Sequence, residues 1–275
     1  MLIAVGSPLP AYRVRASTNA LTRQNLIHDD EFARKCGYRG ALVPGASIFG
    51  YMAHSLFEML GREWLERGSA EIRFMLPVYE GEELRVTGAV SSITREGVLC
   101  IECQVMNPKG GVCAAGSATL PPSHPENAPG IGSYPPGNHR SGRGITLQDL
   151  KINENLNPLL SEFTRPIQWA YCQKIIRDHH PLFQEVIHPG WLLSQAGLIL
   201  AANYDLSAWI HVQSVVQNYR IQMEECVVET RGRVKEKFEF NGDHYLVLDL
   251  ALFAGQHCIQ TILYTVIFRI APRAA

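Results

Sequence analysis

The sequence predicts an α+β protein of two similar halves, each an antiparallel sheet wrapped around one long apolar helix. Three observations predict it. Residues 121–144 are so rich in Pro, Gly and Ser that they cannot form a regular element, and they split the 275-residue chain into two parts of similar size. Pro44-Gly45 opens an apolar run through Ile48, Met52, Leu56 and Leu60, and Pro189-Gly190, 145 residues later, opens another through Leu193, Leu198 and Leu200. Each run is followed by several stretches of alternating apolar and polar residues, which is the pattern of half-buried strands.

Taken in order, 12–15 reads as a strand. Residues 29–35 form a short helix with Asp29 and Asp30 at its positive end, and 46–66 form the long helix. Strands follow at 70–74, 84–92, 98–105 and 112–120, separated by Gly-bearing turns. The second half repeats the pattern with strands at 210–216, 226–239, 245–253 and 259–270. Gly88 matches Gly232 at an offset of 144, and Gly97 matches Gly242 at 145, so an internal duplication is expected. One helix cannot cover so many strands from both sides. A sheet curled around the helix is the economical packing, and two such units side by side can join their sheets. The expected domains are 1–120, a linker at 121–144, and 145–275.

Composition narrows the function classes. Apolar residues make up 46% and charged residues 19%, with a net charge of −1 and no Lys/Arg-rich stripe, so nucleic acid is not an expected partner. The N-terminus has no basic segment ahead of an apolar run, and the longest apolar helical run, 191–202, is interrupted by Ser194 and Gln195. A cytoplasmic protein without a membrane partner is expected. Seven scattered cysteines argue against a disulfide framework. Cys100 and Cys103 form a C-x-x-C inside a strand pattern, where an i, i+3 pair points to opposite faces, so neither metal nor redox use is expected. Asp178-His179-His180 lacks further ligands at suitable spacing. No G-x-G-x-x-G or P-loop occurs, and no cofactor is expected.

The most informative stretch is Asn25-Leu-Ile-His28-Asp-Asp, followed seventeen residues after His28 by Gly45 in Leu-Val-Pro-Gly-Ala-Ser. It supplies an amide and an imidazole, then a helix start whose free N–H groups can hold a developing negative charge. With Ile72-Arg-Phe-Met-Leu-Pro77-Val-Tyr-Glu-Gly81, it resembles the MaoC-like (R)-specific enoyl-CoA hydratase/dehydratase family in its double hotdog form, over nearly the whole chain outside the linker.

The resemblance implies a double hotdog fold and a hydro-lyase acting on an acyl thioester, such as an acyl-CoA, with a homo-oligomeric assembly. It maps the family's catalytic Asn and His onto Asn25 and His28, and its oxyanion glycine onto Gly45. The family's Asp falls on Arg23, its Pro on Leu26, and the His before its glycine on Pro44. Asp29 or Asp30 is then the candidate replacement carboxylate, while Arg23, Pro44 and Ser47 are candidate substrate-binding residues. Each has a plainer reading: a helix-capping His28, a turn amide at Asn25, helix-start charge at Asp29 and Asp30, and a solvated Arg23. In the second half Phe183 stands where a histidine would be needed, so that half is expected to bind and support. The alternatives are a non-catalytic thioester-binding protein and a hotdog enzyme of other chemistry, such as a thioesterase.

Overall fold

The structure, a computed structural model, describes residues 3–19 and 24–271. Strands are β1 (Tyr12–Arg15), β2 (Ser69–Phe74), β3 (Glu83–Ile93), β4 (Leu99–Met106), β5 (Val112–Leu120), β6 (Leu159–Phe163), β7 (Ile210–Asn218), β8 (Cys226–Phe240), β9 (Asp243–Ala254) and β10 (His257–Arg269). Helices are α1 (Asp30–Lys35), α2 (Gly45–Leu60), α3 (Arg62–Arg67), α4 (Arg165–Ala170) and α5 (Pro189–Asn203).

All ten strands form one sheet in the order β1-β3-β4-β5-β2-β7-β10-β9-β8-β6. Read from either end, the order is the same once each strand of one half is exchanged for its counterpart. The join is the antiparallel pair β2–β7, with Ser69 opposite Gln217 and Arg73 opposite Gln213. Gly97 and Gly242 sit in equivalent hairpin turns with φ of 82° and 80°.

The sheet curls around α2 and α5, which pack on each other. That position explains why both helices are apolar nearly all round. Phe49, Met52, Ala53 and Leu56 of α2 are fully buried, as are Ala196, Ile199 and Leu200 of α5. The expected helix through residue 66 is broken in two. Gly61 takes a φ of 65°, which ends α2 and lets α3 set off in a new direction. The region 165–176, where no element was expected, forms α4 and one widened turn, capped by the Thr164 hydroxyl accepting from Ile167 N–H.

Several polar side chains inside the curl are paired, whereas Ser55 Oγ of α2 is buried without a partner among the described residues. Ser161 donates to Gln195 Oε1 at 2.6 Å, tying β6 to α5. Asn203 accepts from Asn157 N–H at 2.8 Å and donates back to its carbonyl at 3.1 Å, which anchors the incoming end of the second half. Asp178, 2% exposed, accepts from His54 Nδ1 of α2 at 2.8 Å and from His188 Nε2 at 3.4 Å. The other ring nitrogen of His188 accepts from Gly190 N–H at the start of α5, so its proton lies toward Asp178. Burial opposes ionisation of Asp178, but the hydrogen bonds from His188 and His54 outweigh it and hold the carboxyl well below the usual carboxylate range. Asp178→Ala strands both donors. It is expected to cost about 2–4 kcal/mol in a denaturant titration, and a loss well under 1 kcal/mol would contradict this account of the cluster.

Candidate functional site

The loop at Asn25–His28 belongs to the first half but is docked on the second. Leu26 N–H donates to Ser207 O at 2.9 Å. Asn25 is 4% exposed, and its amide spans Trp209: Oδ1 accepts from Trp209 N–H at 3.0 Å while Nδ2 donates to Trp209 O at 2.9 Å. These two bonds fix which way the amide faces. Ile27 plugs into a small apolar cluster with Ala33, Leu42 and Ala208, so both halves support the loop.

His28 follows from that anchoring. Its Nδ1 lies 2.8 Å from Leu42 O. A carbonyl only accepts, so Nδ1 carries the proton. Its Nε2 lies 3.3 Å from Asn25 Nδ2, the amide hydrogen not used by Trp209. An N–H donor there requires a bare lone pair on Nε2, so two independent contacts select the same tautomer. The second contact is long and aims the lone pair without consuming it. Leu42 is itself fixed by donating to Ile27 O at 3.1 Å. Burial lowers the His28 pKa below 6.5, with the Leu42 hydrogen bond opposing, so the ring is neutral at neutral pH.

The start of α2 lines the same cavity as His28. Pro44 O accepts from Ser47 N–H at 2.9 Å and Ile48 N–H at 3.2 Å, closing the first turn. Among the described residues nothing accepts from the N–H of Gly45 or Ala46. Ser47 is 3% exposed and, like Pro44, lines the cavity. Glycine at 45 answers to a close approach. A Cβ there would lie 2.5 Å from Nδ1 and 3.0 Å from Cγ of His211, a residue of β7 in the other half. His211 Nε2 is 2.7 Å from Ser214 Oγ, and its ring packs between Phe74 and Tyr264, with centroids 4.4 and 4.5 Å away.

The cavity holds about 290 Å³, and both halves form its walls. Leu193, Gly197 and Leu198 of α5 face Phe74, Leu76 and Val78 from the β2 side of the first half. Its polar lining includes Asn25, His28, Ser47 and His211, with Asn19, Ser194, Tyr38, Tyr171 and Tyr264 elsewhere on the wall.

The structure brings Asn25, His28, Pro44, Gly45 and Ser47 together. Asp29 and Asp30 it directs elsewhere. Asp29 Oδ1 caps α1 by accepting from Phe32 N–H at 2.9 Å, and Asp30 accepts from Ala41 N–H at 2.8 Å and pairs with Arg34 at 3.2 Å. Both are exposed, and neither lines the cavity. The local reason is the helix: carboxylates at its first positions turn to its own free N–H groups and to the i+4 arginine. Arg23 lies outside the described residues.

No protein-family model matches the chain, and no curated protein matches it. Solved structures do. A chain described as a MaoC domain protein dehydratase from Chloroflexus aurantiacus superposes with a TM-score of 0.70 at 13% identity, over 98% of this chain and 97% of that one. A conserved hypothetical protein from Mycobacterium tuberculosis with a double hotdog fold gives 0.68 at 14% identity, over 96% of each chain. The fold is a double hotdog. A chain described as an oleoyl thioesterase from Lactobacillus plantarum matches more loosely, with a TM-score of 0.55 at 7% identity over 97% of each chain. At these identities the likeness establishes the backbone arrangement and not the reaction.

A double hotdog has two helix starts where a site could form, and here they differ. At α5 the N–H of Gly190 is taken by His188 Nδ1 at 3.0 Å, and Tyr171 Oη occupies the space a Cβ on Gly190 would need. At α2 the corresponding residues, Gly45 and Ala46, line the cavity. His211, Trp209 and Tyr264 escaped the sequence reading because they belong to strands and turns of the other half. Only the β2–β7 join carries them to Gly45, and no local spacing announces that.

Proposed function

We propose that this cavity binds an acyl thioester and that the protein is a hydratase/dehydratase, adding water to a 2-enoyl group or eliminating it from a 3-hydroxyacyl group. The observation that carries this reading is a neutral imidazole with its lone pair fixed, sharing one cavity with two unpaired helix-start N–H groups. In the hydration direction, the thioester oxygen accepts from Gly45 N–H, which favours enolate character as water attacks C3. His28 Nε2 takes one proton from that water as the C3–O bond forms. The imidazolium then returns a proton to C2, so His28 ends neutral as it began. One base serving both steps needs no carboxylate, which accommodates Asp29 and Asp30 being engaged elsewhere. Asn25 orients the ring and the attacking water, and α5 lines the acyl chain's path.

The second reading is thioester hydrolysis, favoured by the structural likeness to chains described as thioesterases. The same His28 would then direct water at the carbonyl carbon. Mixing the protein with trans-2-butenoyl-CoA separates the two. Loss of the conjugated enoyl absorbance without free thiol supports hydration, and thiol release at the same rate selects hydrolysis. Tight binding with neither change would make the protein a thioester-binding one.

The pH dependence follows from the ring. Only neutral His28 can accept the proton, and burial lowers its pKa. The acid limb of kcat/KM is therefore expected to be centred below 6.5. An acid limb of kcat/KM centred at or above 6.5 would remove His28 as the base.

A further inference from the structure

We infer that His211, supplied by the second half of the chain, is a second oxyanion donor: as a neutral imidazole it gives its Nδ1–H to the thioester oxygen beside Gly45 N–H. The inference rests on the thioester reading of the cavity and adds a residue to it. Three observations carry it.

The first is position. His211 lines the cavity, and its Nδ1 crowds Gly45 so closely that a Cβ there would sit 2.5 Å away. An oxygen held by the start of α2 lies within reach of that nitrogen.

The second is the proton's location. Ser214 is fully buried, and among the described residues the only partner its hydroxyl has is His211 Nε2, at 2.7 Å. A buried O–H is rarely left without an acceptor. Satisfying it means that Ser214 donates to Nε2, which leaves the single proton of a neutral ring on Nδ1.

The third is charge. The ring is enclosed by Phe74 and Tyr264. No carboxylate lines the cavity among the described residues. Burial pushes the His211 pKa down to about 3. The positive end of α2 further disfavours an imidazolium there. A group so hard to protonate is unsuited to relaying protons, whereas a neutral N–H is well suited to polarising a carbonyl.

The test uses trans-2-butenoyl-CoA carrying ¹³C at the thioester carbonyl, bound to the whole protein, with the carbonyl stretch read by infrared difference spectroscopy. The wild type is expected to shift the stretch to lower frequency. His211→Phe should lose a large part of that shift and about 10²-fold in kcat with KM little changed, while His211→Gln, which keeps an N–H donor, recovers part of both. Unchanged frequency and kcat in His211→Phe would overturn the inference while leaving thioester binding intact. Failure of the wild type to bind the probe would bring down the thioester reading itself and His211's role with it. Should the variants not fold, ¹⁵N spectra of the wild type decide. A protonated Nδ1 on His211 whose signal moves on adding the probe supports the assignment, and a protonated Nε2 with no response refutes it.

Discussion

Replacing His28 by alanine is expected to lower turnover of an enoyl thioester by roughly 10²-fold or more, with little change in folding stability. The ring is half-buried, and its two contacts, with Leu42 O and with the Asn25 amide, hold orientation more than they hold the fold. Asn25 stays anchored by Trp209, and Leu42 by Ile27. The loss should fall on kcat, because the lone pair matters only once a water or a C2 proton is in motion. Steady-state rates with trans-2-butenoyl-CoA, beside thermal midpoints, measure both quantities. An unchanged rate would take the imidazole out of the chemistry. A collapsed midpoint would mean that His28 is a structural pin for its loop.

Gly45→Ala should have a comparably large effect for a different reason. The added methyl must enter space 2.5 Å from His211 Nδ1. That ring has little freedom to retreat, since Ser214 holds one edge and Phe74 and Tyr264 its faces. Overpacking of this kind typically costs about 1–3 kcal/mol, and moving an oxyanion donor out of line costs roughly 10²-fold in rate. Adding His211→Ala to Gly45→Ala should restore stability relative to the single variant, because the obstruction is gone, and the two changes should be clearly non-additive. A Gly45→Ala protein of normal stability and rate would show that the close approach has no consequence.

The fold was largely legible because its signals are local. Alternation marked the strands, two Pro-Gly steps marked the starts of α2 and α5, and paired glycines marked the repeat. Where an element was misplaced, a single residue overrode the periodic signal: the apolar pattern continues past Leu60, but the backbone turns at Gly61. The candidate site was half legible. Asn25, His28 and Gly45 stand in one motif and share one cavity. Asp29 and Asp30 fit by proximity in sequence, yet helix-start N–H groups and Arg34 claim them. His211 carries no signal in sequence, since an isolated histidine in an alternating strand is indistinguishable from any half-buried polar residue until β7 is set beside β2. His54 and His188 are polar residues in apolar surroundings, made tolerable by Asp178.

The unequal helix starts bear on stoichiometry. A doubled scaffold with two equivalent mouths would titrate two ligands per polypeptide. With the Gly190 amide already occupied by its own neighbouring ring, saturation with one ligand per polypeptide is the expected result. The second half forms the opposite wall of a single chamber, and neither half, expressed apart from the other, contains a complete one.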